Sequence, residues 1–405
     1  MITNFNLEQF IKDSVTFRPV SLFEDDLNKF HNELSEKINN KSVLVIGGAG
    51  TIGSSYIKAI LKFKIKRLFV VDVNENGLTE LVRDLRSSSQ YNIPDDFKTY
   101  AINFGDPVFY KLLEAEGPFE IIVNFAAHKH VRSEKDVYSI EAMIENNVLR
   151  AKKLLDFIAK NPPEHFFCVS TDKAANPVNV MGASKKLMEE VIMTYTEKFP
   201  IKTARFANVA FSDGSLLYGF IERFNKKQPL ACPSDVKRFF VSPVESGQLC
   251  LIASILGESG DIFFPKLDME NGMLSFSEIA ISLIKALGYI PDVCESEDEA
   301  RQKASLLNNE SKLYPIYFLK SDTSGEKLFE EFYTEKEDLD VNTFLNIGVI
   351  KNYNKVSVEE IANIINDLDS LLLEKHDKID IVNILKKYLP NFEHIETGKN
   401  LDQKM

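Results

Sequence analysis

Residues 43–55 read VLVIGGAGTIGSS: an apolar strand runs straight into Gly47, Gly50 and Gly53 and then into a helix. Glycine is needed where a chain turns sharply, where backbone must approach a pyrophosphate, and where helix and strand pack closely. The pyrophosphate would lie at the helix N-terminus, against N–H groups that have no partner inside the helix. Thr51 and Ile52 belong to that first turn. A second strand, RLFVVDV (67–73), places Asp72 19 positions after Gly53, where a carboxylate can hold the hydroxyls of an adenosine ribose. Taken singly, the glycines could be a tight turn and Asp72 a helix cap. Together they read as a dinucleotide site. A carboxylate at that place repels a 2′-phosphate and favours NAD, with NADP left open.

The surrounding pattern alternates. Strands are read at SVLVIG (42–47), RLFVVDV (67–73), FKTYAIN (97–103), EIIVNFAA (120–127) and HFFCVST (165–171), with helical patterns near 53–63, 76–89, 106–115, 139–160 and 183–198. Apolar strands separated by crossover helices imply an α/β fold, a Rossmann-type doubly wound parallel sheet covered on both faces. KTARFANVAF (202–211) reads as a strand, followed by a loop-rich stretch to about Lys266 and a helix over 275–288 with a Ser start and a Gly stop. Residues 1–40 read as a helical extension with Phe5, Leu7, Phe10 and Ile11 on one face. Residues 336–405 read as a charged helical extension that includes the amphipathic KVSVEEIANIINDLDSLLLEK. The expected organisation is a unit at 41–335, with a dinucleotide-binding core over about 41–210 and a smaller substrate-binding lobe over about 211–335.

Composition narrows the class. Among 405 residues, 48 Lys and Arg against 60 Asp and Glu leave a net charge of −12, which argues against a protein that coats nucleic acid. Cys168, Cys232, Cys250 and Cys294 lie far apart with no metal-ligand spacing, so a reduced compartment and no metal are expected. The N-terminal MITNFNLEQFIKDS carries charges where a signal peptide needs an apolar core. Apolar runs such as 249–256 fall short of the ~18–20 residues of a membrane span. A cytoplasmic protein without a membrane span is the expectation.

Two further stretches carry chemistry. NFAAHKHV (124–131) follows the fourth strand and CVSTDKAANPVNVMGASK (168–185) follows the fifth. With the G-x-x-G-x-x-G turn, Asn147 in IENNVL, RFANV (205–209), Ser212–Ser215, KRFF (237–240) and GEKLFEE (325–331), the chain resembles the extended short-chain dehydrogenase/reductases. Within them it resembles the UDP-N-acetylglucosamine 4,6-dehydratases of the polysaccharide-biosynthesis type.

That resemblance implies oxidation at C4 of the sugar, loss of water across C5 and C6, and return of the hydride to C6. It assigns Lys173 as the base at C5 and Asp172 as the proton carrier for the C6 hydroxyl, with Ser170 and Thr171 orienting the C4 hydroxyl. The usual Tyr-x-x-x-Lys of these enzymes is Met181 and Lys185 here. A thioether exchanges no proton, so Asp172 is also the choice for the C4 proton, through Thr171 or a water. Methionine at this place marks the configuration-retaining branch, and Lys185 would hold the nicotinamide ribose. Asn103, Ala126, Ala127, Lys129 and Asn147 are carried over to the cofactor, and Lys129, His130, Asn208, Ser215 and Arg238 to a UDP-sugar. Arg132, Arg150 and Thr323–Ser324 depart from the family pattern, which leaves a GDP-linked or modified sugar open. A C4 or C5 epimerase on the same fold and a non-catalytic dinucleotide sensor are the competing readings. The resemblance also implies a homo-oligomer packed through the helices at 139–160 and 183–198.

Overall fold

The computed structural model describes residues 5–267, 272–321, 330–353 and 355–394, with the backbone but not the side chain of Arg132. The segment GEKLFEE lies within them only at Glu330 and Glu331, and Thr323–Ser324 lie outside them.

The strands of the large sheet are β1 (Ser42–Ile46), β2 (Arg67–Asp72), β3 (Asp96–Ala101), β4 (Ile121–Asn124), β5 (His165–Val169), β6 (Ile201–Ala204), β7 (Ile262–Pro265), β8 (Asp338–Asp340) and β9 (Ile347–Lys351). Their order is β8-β9-β7-β6-β5-β4-β1-β2-β3. The strands from β3 through β7 are all parallel, and β9 and β8 add antiparallel pairs at one edge. The inner strands are buried on both faces, as the wholly buried SVLVI of β1 shows, while β3 at the far edge is only partly covered. Chain order reverses between β1 and β4, which opens a crevice at their carboxyl ends. Ile46, the last residue of β1, pairs with Val71 on one side and Asn124 on the other.

Two expectations need correction. The stretch read as loop-rich holds a fourteen-residue helix, Pro243–Leu256, and strand β7 of the main sheet. That helix is buried over almost its whole length and packs against the Thr51–Ile60 helix. A helix apolar all round has no one-sided stripe, so the periodicity test passes over it. Residues 336–405, read as helical, contribute β8 and β9 before their two helices, Val358–Leu373 and Lys378–Tyr388. The IGVIK of β9 is short and its first four residues are buried, which makes it a core strand, paired on both sides, and not a helical face. The core is therefore discontinuous in sequence, because β7 lies between segments of the smaller lobe and β8 and β9 return from beyond it.

That lobe carries the three-stranded sheet Ile290–Cys294, Leu313–Leu319 and Leu230–Pro233, with the helices Leu216–Asn225 and Phe276–Ala286. The last of these starts at a Ser275–Glu278 capping box, and Gly288 follows its end at φ +87°. The N-terminal extension is pinned to the body. Phe10 and Ile11 pack into the lobe's apolar cluster, and Arg18 donates to both oxygens of Glu245 at 2.7 and 2.8 Å. The buried Asp26 carboxylate accepts the N–H groups of Leu345 and Asn346, just ahead of β9.

Helices Val137–Ile144 and Val180–Met193 form one apolar cluster with Ile361, Ile364, Leu368, Ile381 and Leu385 of the C-terminal helices. Lys378 Nζ donates to Glu134 O at 3.0 Å, and Tyr353 donates to Glu190 at 2.7 Å. Part of the face that the resemblance gives to a second subunit is thus packed by the chain's own C-terminal helices.

Candidate active site

The glycine turn sits at the mouth of the crevice. Gly47 has φ +77°, and a Cβ there would come within 2.5 Å of Ala126 N across the sheet. At Gly53 a Cβ would stand 2.2 Å from Gly47 O, so the helix can pack on the turn only without one. Gly53→Ala is expected to spread this contact and lower dinucleotide affinity at least tenfold with a lower Tm; unchanged affinity by fluorescence titration counts against the turn's role. Gly50 differs: its Cβ would meet only Gly47 O, at 3.7 Å. It caps the Thr51–Ile60 helix without any side-chain cap, so the first-turn N–H groups face the cleft. Asp72 accepts Ala49 N–H and Asn74 N–H, one on each oxygen, at 2.9 Å. Its carboxylate braces the turn and still lines the cleft. The residues fit a dinucleotide: an open pyrophosphate seat with bare donors and an acidic group at the ribose end.

The cleft has a volume of about 1200 Å³. That exceeds the roughly 300–1,000 Å³ of a single drug-sized ligand site and leaves room for two ligands. It is lined by Gly47, Gly50, Thr51, Ile52, Gly53, Asp72, Asn103, Ala126, Ala127, Lys129 and His130 on one side. Ser170, Thr171, Asp172, Lys173, Met181 and Lys185 form its floor, and Asn208, Ser215 and Arg238 close the lobe side. The loop at 212–215 is tied to the glycine turn, since Asp213 N–H donates to Thr51 Oγ1 at 2.9 Å.

Asp172 and Lys173 form the charged centre. Lys173 Nζ donates to both Asp172 oxygens at 3.0 Å, and Thr171 Oγ1 donates to Asp172 Oδ1 at 2.6 Å. Asp172 is 4% exposed, so this is not the solvated surface pair that an adjacent Asp-Lys usually makes. Burial alone would pull the Lys173 ammonium down; the charges of Asp172 and Glu330 and the Asp172 hydrogen bond outweigh it and hold it up. Met181 is buried at the first turn of the Val180–Met193 helix. Lys185 is buried too, donates to Val169 O at 3.0 Å, and is pulled down by burial against Cys168 and Glu189. Burial likewise lowers Lys129, opposed by Asp213.

Three residues stand differently from their sequence reading. Asn147 does not line the cleft: its amide clamps the His128 backbone at 2.9 Å on both N–H and C=O and donates to Ser184. It shapes the 126–130 wall of the cleft. Ser170 donates its hydroxyl to Glu189 at 2.5 Å, which leaves it able only to accept from a sugar hydroxyl. Ser215 caps the Leu216–Asn225 helix by accepting Tyr218 N–H.

The sequence alone does not single out Glu330. It is 2% exposed, lines the cleft, accepts from Asn208 Nδ2, accepts Phe239 N–H at 3.0 Å, and lies 3.7 Å from Arg238 Nε. Burial pushes its carboxyl up, helped by Asp172 and opposed by Lys173 and Arg238, to about 8. Nothing in GEKLFEE separates it from Glu331, which is exposed and accepts from Asn176. Among the described residues no group of His, Cys, Asp and Glu could hold a metal ion, and no helix is long and apolar enough to cross a membrane.

A doubly wound parallel sheet, a glycine turn at its switch point and a charged pair after β5 facing one shared cleft define an extended short-chain dehydrogenase/reductase. Residues 43–352 match the polysaccharide biosynthesis protein family, and the chain belongs to it. It is 28% identical over 339 residues to the capsular polysaccharide biosynthesis protein CapD of Staphylococcus aureus, covering 82% of this chain and 54% of that one. The chain thus spans about half the length of that relative. A UDP-glucose 4-epimerase of Rickettsia massiliae is 31% identical over 269 residues, 65% of this chain and 73% of the epimerase. The X-ray structure of Pen from Bacillus thuringiensis shares the fold with a TM-score of 0.62 at 21% identity, over 82% of this chain and 98% of Pen.

Proposed function

We propose that the chain is an NAD-dependent nucleotide-sugar 4,6-dehydratase of the configuration-retaining kind, acting on UDP-N-acetylglucosamine. The observation that carries this is the buried Asp172–Lys173 pair with Thr171 on its carboxylate and Met181 where a tyrosine base would stand. A nicotinamide dinucleotide on the glycine turn would supply the place where the C4 hydride is held until it returns at C6.

The chain's own groups handle the protons. Thr171 Oγ1 bridges to Asp172, so a C4 hydroxyl proton has a route to that carboxylate. Once Asp172 carries the proton, the larger of the charges that hold Lys173 up is gone, burial favours the neutral amine, and the ammonium proton passes to solvent. Lys173 can then take the proton at C5, made acidic by the neighbouring ketone, while Asp172 delivers its proton to the departing C6 hydroxyl. The resting pair thus holds both groups in the opposite protonation state from the one elimination uses, and two transfers switch them: the C4 hydroxyl proton to Asp172 and the Lys173 ammonium proton to solvent.

Incubation with UDP-N-acetylglucosamine in D2O tests this reading. The expected product has lost one water by mass and carries deuterium at C5. A product of unchanged mass inverted at C4 means that the chain is an epimerase, the second reading, which the 31% identity to a UDP-glucose 4-epimerase favours.

A further inference from the structure

Glu330 and Arg238 form a buried pair in the wall of the cleft, with 2% and 6% exposure and 3.7 Å from Oε1 to Nε. Both Glu330 oxygens are engaged, Oε1 by the Asn208 amide and Oε2 by Phe239 N–H. Asp172 and Lys173 face the carboxylate from the turn after β5, and Arg238 faces it from the strand Lys237–Arg238. Arg238 also donates to its neighbour's carbonyl, Lys237 O, at 2.8 Å.

An anionic ligand that enters beside Arg238 meets a guanidinium already shared with a buried carboxylate. Two anions on one desolvated cation cost more than one, and the group that can shed its charge by gaining a proton does so. We propose that Glu330 takes up a proton from solvent when a nucleoside diphosphate seats beside Arg238, so that the guanidinium passes from the carboxylate to the phosphate. The proton goes onto a Glu330 oxygen and no heavy-atom bond changes. Glu330 is a positioning residue that acts through Arg238 and Asn208, and the inference rests on the reading of the cleft as a UDP-sugar site. Burial and Asp172 already push this carboxyl up to about 8, which places the exchange within reach of ordinary solution conditions.

The sign follows from linkage. The ligand favours protonated Glu330, so affinity is full below the folded pKa and falls as pH rises through it. UDP is the probe, because it cannot turn over and its diphosphate is fully ionised above about pH 8. Calorimetry at about pH 8.5, in two buffers of different ionisation enthalpy, counts the protons. The wild type should take up roughly half a proton or more per UDP, with affinity falling by up to about tenfold per pH unit above that point. E330Q keeps the shape but cannot gain the proton, so uptake should approach zero and the pH dependence should flatten. E330D should restore part of both and serves if E330Q does not fold. Wild-type binding without uptake, or full uptake in E330Q, overturns the proposal and leaves the UDP-sugar reading standing. No UDP binding by the wild type overturns that reading and this inference with it.

Discussion

Lys173→Ala should lower product formation from UDP-N-acetylglucosamine by roughly 10²–10⁴-fold, the range for losing a placed acid–base group. Cofactor content should be unchanged, because Gly47, Gly50, Gly53 and Asp72 lie on other loops of the cleft. Asp172→Asn should cost about as much for a different reason. The amide cannot carry the C4 proton, and it removes the charge and hydrogen bond that hold the Lys173 ammonium up. Because the two residues act as a unit, the double variant should be little worse than either single one. Turnover and bound dinucleotide, measured on the same preparations, check this. Full turnover in either single variant removes that residue from the chemistry.

Arg205→Met should be the most destabilising single change among the variants considered. Arg205 is wholly buried and donates to Glu189 at 2.9 and 3.0 Å, to Glu337 at 2.9 and 3.0 Å, and to Phe332 O at 2.9 Å. It ties the helix Val180–Met193 to the returning chain at 332–337, and through Glu189 it also fixes Ser170 in the cleft floor. Loss of one partner of a buried pair leaves an uncompensated charge and costs about 3–5 kcal/mol. Urea unfolding midpoints report this directly. Burial alone would raise the Glu189 carboxyl; the charge and hydrogen bonds of Arg205 outweigh it and hold it below its ordinary value. A folded pKa below the unfolded one gives stability that is full above the ordinary carboxylate range and is lost as pH falls through the folded value. The gap between variant and wild type should therefore be widest near neutrality and narrow in acid.

The parts of this molecule that obey local rules were legible. The first five strands lie within a few residues of their reading, four because each is an apolar run bounded by turn residues or the start of a helix, and the edge strand β3 through its short mixed run DFKTYA. Gly47 and Gly53 were legible because only the lack of a Cβ permits their contacts. Pro243–Leu256 was not, since a helix buried on every side loses its period. Neither was the return of β8 and β9 to the sheet, because short strands from a distant segment leave no local mark. Arg205 and Glu330 escaped for a related reason. Nothing beside them in sequence shows that they are buried or paired, and their partners lie from 16 to 132 residues away. Asn147, carried over to the cofactor, acts on the His128 backbone in the cleft wall, a role its sequence neighbours do not reveal.

In the proposed reaction Asp172 and Lys173 direct the hydride removed at C4 to C6 and not back to C4. UDP-N-acetylglucosamine deuterated at C4 reads that path in one experiment. If the chain is a dehydratase, the product has lost one water and the deuterium stands at C6. Deuterium back at C4 in a product of unchanged composition, or substrate recovered intact from the cofactor-loaded protein, contradicts the account.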